Sequence, residues 1–205
     1  METYETIEKD GKILKIYLDE NPSDPREWDN LSKFVLSHKR YNLPNELNIN
    51  FDNFEGWAEI EEYLKNEFKA VLIYTVRGYD HSGFSISLNT DYPFNDYWDS
   101  GQLGFICVLE EDIKKEYGKL TKKNIKIAEK CLKAEFETYK NYIEGDVYGF
   151  EVIKINPIKK RIITEYQDGK KDIKDFETTE EEVLDSCWGY YGEDGIKQIK
   201  EENNF

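Results

Sequence analysis

The sequence predicts an α+β fold: an antiparallel or mixed sheet of about five strands with three to five helices packed on it. Three observations carry this. Residues 70–76 (AVLIYTV) form an unbroken apolar run rich in β-branched side chains, the mark of a central strand. Residues 84–88 (FSISL) alternate strictly between apolar and polar, as a strand with one wet face does. Ile125, Ala128, Leu132, Phe136, Tyr139 and Ile143 recur at steps of three and four, which marks the longest helix, about 122–143. At 205 residues the chain fits a single α+β domain over 1–205, with 175–205 at most a C-terminal appendage.

In chain order, 11–18 (GKILKIYL) reads as a strand and the cluster 21–25 (NPSDP) as a turn. Asp29 or Asn30 is placed to cap a helix running to about His38, with Leu31, Phe34, Val35 and His38 at helical spacing. A loop over 41–54 leads into a second helix, 55–68, patterned by Trp57, Ile60, Tyr63, Leu64 and Phe68. The strands 70–76 and 84–88 form a hairpin with a glycine-flanked turn. An aromatic, acidic loop over 89–101 precedes another buried strand, 103–109. Glu110, Glu111 and Asp112 suit a helix N-terminus and Gly118 a stop. Thr121 caps the long helix and Gly145 ends it. Residues 146–155 and 160–166 read as a hairpin, Thr178 and Thr179 open a short helix or turn, and 195–202 is a last helix.

Composition bounds the function. Forty-three acidic against 28 basic residues give a net charge of −15, which excludes a uniformly basic nucleic-acid binder. The 15 Tyr, 11 Phe and 4 Trp argue for a folded chain despite its high charge. No run approaches 18 apolar residues, so no membrane span is expected, and the charged N-terminus lacks the apolar core of a secretory signal. Three widely spaced cysteines without a C-x-x-C pair fit a reducing cytoplasm. The acids are clustered: 44–64, 89–112 and 175–194 hold no Lys or Arg, whereas 114–140 carries nine Lys against four Glu. Such clustering either solvates the surface or meets a basic partner.

Three stretches could carry chemistry. The first is Asp80, His81 and Ser82 between two strands. Adjacent residues rarely make triad geometry. Two histidines in the chain make a zinc site hard to assemble, so the stretch reads as a turn capped by Asp80 and Ser82 with no cofactor, and the alternative is a divalent cation held by oxygens near Asp80 and His81. The second is the 89–101 loop, whose Asp91, Tyr92, Phe94, Asp96, Trp98 and Asp99 either fold back on the core or form a contact surface. The third is 185–192, where Trp188 and Tyr190 flank a glycine and are further anchors for a partner; Cys187 there has acidic neighbours, which argues against a reactive thiol. No phosphate-binding glycine loop occurs, and no catalytic residue is assigned.

Six strings, in order over about 20–195, carry a resemblance: 21–31 (NPSDPREWDNL), 41–43 (YNL), 79–83 (YDHSG), 98–106 (WDSGQLGFI), 137–150 (ETYKNYIEGDVYGF) and 186–192 (SCWGYYG). With them the chain resembles a family of accessory proteins encoded by tailed bacteriophages and other mobile elements. In that family's pattern Asn directly precedes Pro-Arg-Glu-Trp; here Ser23 and Asp24 intervene after Asn21 and Pro22. The resemblance implies a viral protein acting in the cytoplasm of a bacterial host. It also implies an anti-defence inhibitor, of anti-CRISPR or anti-restriction type, that sets carboxylates against the basic surface of a host nucleic-acid-binding defence protein. The chain itself would bind neither nucleic acid nor membrane. The alternatives are a metal-binding protein or hydrolase centred on Asp80 and His81, and a structural or housekeeping phage protein that forms a homodimer, with the basic helix 122–140 of one copy against acidic loops of another.

Overall fold

The computed structural model describes residues 2–89, 99–166 and 171–205. Among these lie eight strands and four α-helices: β1 (Thr3–Lys9), β2 (Lys12–Leu18), β3 (Lys33–Leu36), α1 (Trp57–Asn66), β4 (Ala70–Asp80), β5 (Phe84–Leu88), β6 (Ser100–Leu109), α2 (Glu110–Tyr117), α3 (Lys122–Glu144), β7 (Val147–Glu165), β8 (Lys171–Tyr191) and α4 (Gly192–Glu202). The class is the α+β predicted, but the strands form two antiparallel sheets of four rather than one of about five. The chain divides into two compact units. One is Met1–Pro22 with Val147–Phe205, the other Ser23–Asp146.

The first unit is the sheet β1-β2-β7-β8 with α4 on one face. Asp10 and Gly11 join β1 to β2 with φ of 51° and 74°, the paired positive values of a tight hairpin turn. Leu14, Ile16, Phe150 and Val152 point alternately to the α4 side, where Ile196 and Ile199 cover them. Gly149 is required by its neighbour: a Cβ there would lie 2.0 Å from the Trp188 ring, which sits on the glycine and stacks on Tyr17 at 6.0 Å. β2 pairs with β7 only as far as Lys154, so from Ile155 onward β7 and β8 continue as a two-stranded ribbon.

The second unit is the sheet β3-β6-β4-β5 between two helical layers. Ile106 and Val108 of β6 face Ala128, Leu132 and Phe136 of α3, while Phe105, Cys107 and Leu109 face Ile60 and Leu64 of α1. A strand buried on both faces explains the unbroken apolar run of 103–109. Thr121 caps α3 by accepting the Asn124 N–H at 3.1 Å, and Gly145 closes it at φ 78°.

Three local readings are corrected. The helix expected over 29–38 is instead the strand β3: Phe34 and Leu36 enter one core and Val35 the other, a period of two. Four residues satisfy either period, and pairing with β6 decides. The hairpin expected from 146–155 and 160–166 is instead one continuous strand, β7. Pro157 lies where β7 has a neighbour on one side only, a place where a strand tolerates proline. The turn or helix expected at Thr178 and Thr179 is β8, held in register opposite Ile158 and Pro157.

Candidate functional site

The end of β4, the turn after it and the start of β6 assemble the candidate site within the second unit. β4 and β6 run side by side to Tyr79 and Ser100, and the Asp80 N–H donates to the Asp99 carbonyl at 2.9 Å. This register brings Asp99 to His81, with Nδ1 to Oδ2 at 2.8 Å. Asp80 turns elsewhere: Arg40 donates to its carboxylate, and so does the Tyr41 hydroxyl at 3.1 Å. Desolvation, and then this bond to Asp80, raises the Tyr41 phenol above its ordinary value. His38 Nδ1 accepts the backbone N–H groups of Arg40 at 3.2 Å and Tyr41 at 3.3 Å. Its ring joins Tyr41 and Phe84 in an aromatic cluster. A cleft of about 730 Å³ opens here, lined by Ser37, His38, Arg40, Asp80, Asp99 and Gln102 among others.

The sequence singled out Asp80 and His81 together. The structure separates their duties, because the carboxylate on His81 is Asp99, eighteen residues away, and Asp80 is engaged by a cation and a phenol. Among the described residues no three His, Cys, Asp or Glu side chains converge as a metal site. A hydrogen-bonded His–carboxylate pair can accept and hold a proton. Its setting is open, with the His81 side chain 61% exposed.

The expected partner-binding residues are distributed. Asp91, Tyr92, Phe94, Asp96 and Trp98 lie outside the described residues. Asp99 serves His81. Trp188 covers Gly149 and Tyr17 while keeping 38% of its surface exposed. Tyr190 packs on Phe150 and donates its hydroxyl to Glu202 at 2.9 Å, a structural position. Cys187 is exposed, and burial pushes the Cys107 thiol up to about 12, which leaves that thiol inert at neutral pH.

The acidic segments differ in how far their charge is spent. In 175–194, Asp175 pairs with Arg161, Glu177 with Lys159, Glu181 with Lys15 and Asp194 with Lys197. In 44–64, Glu46 is consumed by the buried Arg26 at 3.0 Å and Glu61 by Lys65. Asp52, Glu55, Glu59 and Glu62 remain, exposed and paired with no cation among the described residues; Glu59 and Glu62 lie in α1, Glu55 just before it, and the Glu59 carboxylate accepts the Glu55 N–H at 2.7 Å. Beside them Tyr63 is 38% exposed.

Sequence reasoning missed the network around Arg26. Its guanidinium donates to the Ser32 carbonyl at 2.8 Å and lies 4.8 Å from the Phe34 ring centre. Glu135 of α3 accepts the N–H groups of Leu31 and Ser32 at 2.8 and 2.9 Å and the Ser32 hydroxyl. An arginine directly after the 21–25 turn cluster is the available signal; its carboxylates lie 20 and 109 positions on. This network gives the 21–31 string a folding role.

No known protein family, curated protein or solved structure matches the chain. Among the described residues no helix is long and apolar enough to cross a membrane.

Proposed function

We propose that the protein is an interaction module that docks on a basic protein surface, in the setting its resemblance implies: a phage or mobile-element inhibitor of a host nucleic-acid-binding defence protein in the bacterial cytoplasm. The observation that carries this reading is the α1 stripe. Around the start of α1, Glu55, Glu59 and Glu62 present three exposed carboxylates with no internal cation among the described residues, beside the half-exposed Tyr63. Exposed carboxylates clustered at the start of a helix suit a surface evolved for phosphate, and complementary charge speeds encounter. The test is capture of host-lysate partners at low and high salt, with the wild type and with Glu55→Lys/Glu59→Lys/Glu62→Lys. A salt-released partner whose affinity falls at least about tenfold in the triple variant supports the reading. A partner retained equally by both rejects α1 as the contact.

A second reading is a hydrolase centred on His81. The His81–Asp99 pair beside the cleft favours it. His81→Ala would then abolish an activity while the melting temperature stayed unchanged.

A further inference from the structure

The ribbon formed by β7 and β8 beyond Ile155 has two faces, and they differ. Alternate residues share a face, and residues opposite each other in register share it too. On one face the cross-strand pairs are Glu165 with Lys171, Ile163 with Ile173, Arg161 with Asp175, and Lys159 with Glu177. Three are ion pairs, at 3.4, 2.7 and 3.4 Å for Glu165, Arg161 and Lys159. The fourth is a pair of isoleucines left 57% and 55% exposed. The opposite face carries Ile162 and Phe176 with Lys160 and Lys174.

A two-stranded ribbon is marginal in water by itself, and exposed isoleucines in the middle of a salt-bridged face call for a cover. The charge says which cover fits. The chain carries −15, yet over 157–166 and 171–180 five cations balance five anions. Two copies that repel elsewhere can meet here. The pairing pattern adds a geometric relation. A two-fold axis along the ribbon lays β7 of one copy over β8 of the other, so each side chain faces the counterpart of its own cross-strand partner. Arg161 then lies over Asp175 of the second copy, Lys159 over Glu177, Glu165 over Lys171, and Ile163 over Ile173. A face built from opposite-charge pairs is self-complementary under this operation, and a foreign partner has no such relation to it.

We propose that a second copy of this chain packs on the Ile163–Ile173 face of the ribbon about a two-fold axis along its length. The result is a short two-layer sheet sandwich, isologous as two-fold interfaces are. Strands of about ten residues at roughly 3.3 Å each bury on the order of 1,000 Å² in total, the low end for specific association. The dimer is therefore concentration-dependent, with a dissociation constant in the micromolar range or above. This interface shares no residue with the α1 stripe, so either can fail alone.

Sedimentation equilibrium of the full chain, from about 1 μM to about 1 mM, tests it. The mass rises from one copy to two. Ile163→Glu/Ile173→Glu raises the dissociation constant at least about tenfold, and Ile162→Glu on the other face leaves it unchanged. Arg161→Asp weakens the dimer, whereas Arg161→Asp/Asp175→Arg restores it, because the swap preserves both the internal and the intermolecular pairing. Monomer mass throughout the range overturns the proposal. So does a dimer that ignores the Ile163→Glu/Ile173→Glu change, or one broken equally by Ile162→Glu.

Discussion

Asp112 stands at the third position of α2 with Oδ2 buried and no hydrogen-bond partner among the described residues. Burial raises its carboxyl above the ordinary 3.8, and the nearby Lys33 offsets part of this. The folded form thus binds the proton more tightly than the unfolded chain does. The ionised carboxylate costs stability at neutral pH, and the cost disappears as pH falls below the unfolded value. Asp112→Asn is therefore expected to raise the melting temperature at pH 7 by roughly 2 °C, since solvent on the open side of the carboxylate limits the effect. The gain should vanish near pH 3, as thermal scans across pH would show. At this scale the sequence was legible in its residue types and opaque in its pairings. Asp80, His81 and Asp99 were all marked out, but His81 finds Asp99 only because β4 and β6 pair in one register. Arg26, Glu46 and Glu135 were not marked, because a buried charge network announces itself only when distant segments meet.

Elements with long, consistent patterns were legible, and short or ambiguous ones were not. α3 was readable from its stripe, its Thr121 cap and its Gly145 stop, each of which the structure uses. Thr121→Ala is expected to destabilise the protein by about 1 kcal/mol, seen as a shift of the denaturant midpoint with unchanged slope. β3 was misread because four residues cannot separate the helical from the strand period. β1 went unseen because its side chains are mostly polar, although Asp10-Gly11 is a strong hairpin signal. The outer half of β8, rich in Glu and Thr with Lys, has no apolar alternation to read, since its pairing with β7 rests on cross-strand ion pairs.

At the scale of the molecule, the second unit interrupts the first. β2 ends at Leu18 opposite Tyr148 of β7, and the Asp19 N–H donates to the Val147 carbonyl at 2.8 Å, so the chain leaves and re-enters the first sheet at neighbouring points. Residues 23–146 are expected to fold when expressed alone, and 1–22 joined by a short glycine-serine linker to 147–205 to give the other sheet. Two cooperative melting transitions, one from each fragment, would bear this out; an unfolded fragment would refute it. The two-sheet division is not legible in the sequence, because no proline-rich or low-complexity linker separates the units. The interruption also sets a clock. On the ribosome, β1 and β2 emerge first but wait for β7, with 128 residues between the end of β2 and the start of β7. At typical rates of about 5–20 residues per second, the nascent hairpin stands unpartnered for roughly 6–25 s while the inserted unit completes itself. The N-terminal strands are made first and finished last; the polar β1 guards one edge of the waiting hairpin, and the apolar β2 is the edge left open until β7 arrives.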